Sequence, residues 1–114
     1  MKRAGQIILF RFPRADLIPG KPRPALLLGQ LPGPFGDWLI CMISSRKQQC
    51  VEGFDEIIRR DDPDFVQSGL KAPSLIRVGR LAVVDERLLL GAIGDIAPER
   101  LTRIKSRLAQ WLLT

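Results

Sequence analysis

The residues best suited to chemistry are arginines and serines placed where apolar runs begin or end. Arg23 stands in Lys21-Pro22-Arg23-Pro24-Ala25-Leu26-Leu27-Leu28. Pro24 has no N–H, so it opens a strand or lies on its edge. Pro22 and Pro24 push the residues before them towards extended backbone. Arg23 is therefore a stiffly presented planar fork, the group that grips a phosphate oxygen pair. Ser44 and Ser45 end another apolar run and offer hydroxyls that can bond a phosphate oxygen or orient a 2′-hydroxyl. Arg77 lies inside a third run, with Ser74 at its start. On residue type alone, quieter readings stay open. Arg23 can pair with a surface carboxylate, Ser44 can bond its own turn, and Arg77 can face solvent from a strand. There is no histidine, so the usual acid–base group and any Ser-His-Asp or Cys-His device are excluded. No zinc spacing is recognisable either.

These side chains need a scaffold of short strands. Gln6 to Phe12 is apolar, β-rich and stopped by Pro13. A loop with a Pro19-Gly20 turn follows. Pro24 to Leu31 is nearly continuous in its apolar character, which predicts a strand buried on both faces. Trp38 to Ile43 is a third strand. Cys50 to Ile58 is a weaker one, interrupted by Gly53, Asp55 and Glu56. Residues 59–68 are charged and turn-like. Ser74 to Val84 is a long strand with a bend at Gly79, and Leu88 to Leu90 is a short one. Pro98 and Glu99 then open a helix. Leu101, Ile104, Leu108 and Trp111 or Leu112 form its apolar face, and Arg100, Arg103 and Arg107 form a solvated one. Strands followed by one helix predict a mainly β fold, a small antiparallel barrel capped by the helix.

The bulk numbers agree. The chain has 114 residues, read as one domain over 1–114, with 46 % hydrophobic and 26 % charged residues. A net charge of +6 favours a polyanionic or acidic partner. No apolar stretch approaches the ~20 residues of a membrane helix. The run after Met1-Lys2-Arg3 is broken by Arg11 and Pro13, too short for a signal peptide. Cys41 and Cys50 are read as thiols, and the expected compartment is the cytoplasm.

The Lys-x-Arg-Pro-Ala-Leu run, set after a Gly-led strand ending in Phe-Pro, resembles the PemK/MazF family of toxin endoribonucleases. Ile43-Ser44-Ser45 and Gly69-Leu70-Lys71-Ala72-Pro73-Ser74-Leu75-Ile76-Arg77 match further family segments in order and spacing, from Gly5 to the C-terminus. The resemblance implies an SH3-like barrel and metal-independent, sequence-selective cleavage of single-stranded RNA, with no cofactor. It implies a homodimer and an antitoxin whose acidic tail fills a basic groove. It places Arg23, Ser44 and Arg77 in the catalytic site. Lys21, Ser45, Arg46, Lys47, Asp16 and Ser74 fall at its RNA-binding positions. Arg46, Lys47, Arg59 and Arg60, with Phe35, Trp38, Phe54 and Phe65, are candidates for a groove. Two departures stand out: Gly79 and Gln6 replace acidic residues, which takes away one version of the proton acceptor. Asp16 is the only carboxylate in the loop before Arg23. The rival readings are a non-enzymatic binder acting through residues 110–114, as gyrase-blocking toxins of this barrel class do, and a decayed toxin that still binds RNA or antitoxin.

Overall fold

The computed structural model describes residues 2–11 and 20–114. Six strands form one antiparallel sheet: β1 (Gln6–Phe10), β2 (Arg23–Gln30), β3 (Asp37–Ser44), β4 (Glu56–Ile58), β5 (Ser74–Asp85) and β6 (Ala92–Asp95). Their order across the sheet is β4-β5-β3-β2-β1-β6. Two helices, α1 (Phe65–Ser68) and α2 (Pro98–Leu112), complete the fold. The predicted class, mainly β with a C-terminal helix, is the one observed. The sheet curls as a half-barrel whose edge strands are β4 and β6.

The run Ala25–Leu28 is buried throughout, as its composition predicts. Its side chains alternate between two apolar clusters. Leu26 and Leu28 join Ile7, Ile76, Ile104 and Leu108 under α2. Ala25 and Leu27 join Ile8, Phe10, Trp38 and Ile40 on the opposite face. Each fully buried aliphatic side chain contributes roughly 1.5–3 kcal/mol, so this central strand anchors both layers.

The expected bend at Gly79 is a bulge. Met42 pairs with Arg77, whereas Cys41 pairs with Leu81, and the residues between are looped out. This leaves the Val78 N–H without a ladder partner, and the buried Asp55 carboxylate accepts it at 3.0 Å. The same carboxylate accepts Val51 N–H at 2.9 Å. Asp55 thus holds the loop before β4 against β5. It also lies near the buried Cys41, whose thiol is pushed up to about 12, by burial first and by the Asp55 charge second.

Four expectations change. The strand predicted over Cys50 to Ile58 shrinks to Glu56–Ile58, because Lys47–Gln49 is a 3-10 turn and Gly53 takes a left-handed φ of 78°. The turn-like stretch 59–68 contains α1. Leu88 to Leu90 forms no strand. Glu86–Leu88 is a 3-10 turn capped by the Asp85 side chain, which accepts Arg87 N–H, and the last strand is Ala92–Asp95. The fourth change concerns the arginine stripe of α2, which is not solvated as a whole. Arg100 is buried. It donates to Asp64 from Nε at 2.8 Å and Nη2 at 3.1 Å, to Glu56 at 2.8 Å and to Asp62 at 3.0 Å. Arg103 and Arg107 also grip Glu56. Burial alone raises the Glu56 and Asp64 carboxyls. Their hydrogen bonds and charge pairing with these arginines outweigh it and hold both below the ordinary carboxylate range. Asp64 also accepts Ala97 N–H at 3.1 Å, which satisfies a free donor at the start of α2.

The join between α1 and β6 uses two glycines. Gly69 ends α1 at a left-handed φ of 72°, and a Cβ there would collide with the Ile93 carbonyl. A Cβ on Gly94 would strike the backbone of Gln67 and Ser68. Only paired glycines let these two backbones approach so closely.

Candidate active site

Arg23 is the first residue of β2 and Ser44 the last of β3. The antiparallel register pairs Ala25 with Met42 and Leu26 with Cys41. Extended by two residues, it sets Arg23 across from Ser44. Pro24 fits here because the β2–β3 ladder begins only at Ala25, while Pro24 faces Leu9 of β1. The rigid strand entrance therefore delivers a guanidinium beside a strand-end hydroxyl.

Both residues border a cavity of about 450 Å³. Its floor and walls include Leu9, Pro24, Ile43, Leu70 and Ile93, and Ser45, Lys71 and Ser74 join Arg23 and Ser44 at its polar parts. Among the described residues, the Arg23 side chain makes no hydrogen bond or ion pair, and no carboxylate lines the cavity. An exposed, unpaired guanidinium above an apolar pocket can accept an anion without first releasing a partner. Ser44 Oγ accepts Arg46 N–H at 3.0 Å. That bond fixes its orientation and leaves its own proton free to donate. The turn role and the chemical role are thus compatible. Ser74 Oγ instead donates to Ala72 O at 2.8 Å, which commits it to shaping the loop.

The remaining sequence candidates lie elsewhere. Arg77 shares the sheet face of Arg23 and Ser44 through the pairs Ala25–Met42 and Met42–Arg77. It does not line this cavity. Its Nη1 donates to Gln49 at 2.9 Å, and it borders a separate hollow with Val51, Phe54, Asp55, Gly79 and Arg80. Lys21, Arg46 and Lys47 are exposed and border no described cavity. Asp16 lies outside the described residues. Of the groove candidates, Arg60 stacks over Phe65 at 5.7 Å and Arg59 lines the hollow holding Glu56 and Arg100. Trp38 is buried, Phe54 meets Trp111 edge-on at 6.1 Å, and Phe35 is largely exposed in its turn. None of these aromatics lines the cavity.

Among the lining residues that the sequence analysis does not assign to the site, Lys71 is the one with a charge. Lys71 stands in the Gly69-Leu70 segment, and the glycine before it was the available signal.

The chain matches the family described as "PemK-like, MazF-like toxin of type II toxin-antitoxin system" over residues 3–112. No curated protein matches it. Its fold is similar to a solved structure titled "Endoribonuclease in complex with its cognate antitoxin from Mycobacterial species". The TM-score is 0.66 at 12 % sequence identity, covering 98 % of this chain and 95 % of that one.

Proposed function

The chain belongs to the PemK-like, MazF-like toxin family of type II toxin–antitoxin systems, and from that premise we propose that it is an endoribonuclease cutting single-stranded RNA. The observation that carries this reading is that Arg23 and Ser44 border one apolar cavity, with the Arg23 side chain and the Ser44 O–H unpaired among the described residues. The substrate's 2′-oxygen attacks the adjacent phosphorus, the P–O5′ bond breaks, and the 5′-oxygen leaves and takes up a proton. The products are a 2′,3′-cyclic phosphate and a 5′-hydroxyl. DNA lacks the attacking hydroxyl and is not cut.

Negative charge grows on the non-bridging oxygens as phosphorus becomes five-coordinate. The Arg23 fork and the Ser44 O–H supply fixed donors for it, often the largest catalytic contribution. Arg23 serves as a donor and not as the base, because a guanidinium keeps its proton in proteins. The proton acceptor is Asp16 or a water on a backbone carbonyl. Arg77, one side-chain row from Ser44 on the same sheet face, steadies the same charge from the neighbouring hollow. Lys21, Ser45, Arg46 and Lys47 guide the strand, and Ser74 shapes the wall.

The partners follow from the same premise: sequence-selected single-stranded RNA, an antitoxin with an acidic tail, and a second copy of the chain, in the cytoplasm. No cofactor or metal takes part in this scheme.

The test is cleavage of a long single-stranded RNA with EDTA present. Wild type should give discrete cuts ending in 2′,3′-cyclic phosphate. Arg23→Ala should lose on the order of a hundredfold in rate, and Ser44→Ala a smaller factor. Absence of cutting by antitoxin-free wild type rejects the reading. A second reading keeps one observation in its favour: Trp111, Leu112 and Leu113 are exposed at the end of α2. A binder acting through that end would inhibit its target equally well as Arg23→Ala.

A further inference from the structure

Two cations border the cavity, and they come from different parts of the fold. Arg23 belongs to β2, while Lys71 belongs to the loop between α1 and β5. That loop is held by backbone contact. Gly69 seats against the Ile93 carbonyl and Gly94 against α1. Ser68 Oγ accepts Leu70 N–H at 3.2 Å, and Ser74 Oγ donates to Ala72 O at 2.8 Å. Lys71 is therefore flanked on both sides by tied residues. It is exposed, and it makes no hydrogen bond or ion pair to any described residue. The apolar lining of the same cavity is Leu9, Pro24, Ile43, Leu70 and Ile93.

We infer that Lys71 binds the phosphate next to the scissile one, so that the nucleotide between the two phosphates lies on the apolar floor. The inference rests on RNA being the substrate. The two cation types suit this division. A planar arginine fork fits the phosphorus whose geometry changes, and a compact ammonium serves a phosphate that stays tetrahedral. Lys71 is a positioning residue. Its contact is the same in the ground and transition states, so its loss raises KM and leaves kcat nearly unchanged. The site accordingly needs two consecutive phosphates, and a dinucleoside monophosphate is a poor substrate.

The experiment uses a short RNA spanning a mapped cut, with a neutral methylphosphonate replacing each flanking linkage in turn. In wild type, one flanking replacement should raise KM about tenfold, the size of one lost charged contact. Lys71→Ala should show the same rise on ordinary RNA and no further rise with that replacement, while Lys71→Arg restores binding. For a 2′-O-methyl analogue blocked at the cut, the slope of log Kd against log salt should shrink by about 0.7 in Lys71→Ala. Equal methylphosphonate penalties in wild type and Lys71→Ala, or a fall in kcat with KM unchanged, overturn the inference and leave the nuclease reading standing. Wild type that neither cuts nor binds RNA overturns both.

Discussion

Replacing Arg100 with methionine tests whether α2 is held by its buried ion pairs. The change removes four hydrogen bonds to carboxylates, two to Asp64 and one each to Glu56 and Asp62, and a weaker one to the Ile57 carbonyl at 3.3 Å. The cost does not fall evenly. Glu56 keeps Arg103 and Arg107. Asp64, its side chain 3 % exposed, keeps only the Ala97 N–H as a side-chain partner among the described residues. An uncompensated buried carboxylate costs about 3–5 kcal/mol. Methionine fills most of the vacated volume, so the expected loss is about 3 kcal/mol, or roughly 12 °C in Tm for a chain of this length. Arg103→Met removes a side chain that is 47 % exposed from a carboxylate that keeps two other partners. It should cost about 1 kcal/mol or less. Urea unfolding at neutral pH measures both, with the m-value unchanged. Adding Asp64→Asn to Arg100→Met should return at least about 1 kcal/mol, because it removes the stranded charge. The reasoning is refuted if Arg100→Met costs no more than Arg103→Met.

The glycine contact predicts a steep positional contrast. Gly94→Ala should lose about 3 kcal/mol, since its Cβ meets backbone that cannot yield. Gly29→Ala meets nothing within 4 Å and should be neutral or slightly stabilising; thermal melts of the two variants decide it. Acid should loosen the ion-pair cluster in a defined window. The Glu56 and Asp64 carboxyls are held below their ordinary values of 4.5 and 3.8. Their stabilisation is complete above those values and is lost as pH falls through the lower folded ones. Urea midpoints should therefore drop below about pH 4, and this acid-dependent loss should be smaller in Arg100→Met.

What the sequence revealed depended on how far apart the interacting residues lie. β2 was legible because Ala25–Leu28 is apolar on consecutive positions, which only a strand covered on both faces requires. The meeting of Arg23 and Ser44 was legible once the family order was seen, because it needs only two neighbouring strands in register. β6 was not. Ala92–Asp95 is short, lies on an edge and carries two exposed positions, so it has less apolar signal than Leu88 to Leu90, which only closes the turn Glu86–Leu88. The arginine stripe misled for a different reason. A buried arginine and a solvated one look identical along a helix, and the carboxylates that bury Arg100 lie 36 to 44 residues away. Lys71 escaped notice because its position comes from two glycines meeting across the fold, a contact with no periodicity to betray it.

That same cluster reshapes the long-range field of the molecule. Arg100, Arg103 and Arg107 face Glu56, Asp62 and Asp64, and their charges cancel within hydrogen-bond distance. Beyond a screening length of about 8 Å, the most cationic stretch of the sequence is silent. The whole excess of +6 is broadcast by the remaining surface, where the Arg23 and Lys71 side chains have no partner among the described residues. An arriving polyanion is therefore drawn to the strand ends and past the helix, and it is there that added salt should slow its arrival.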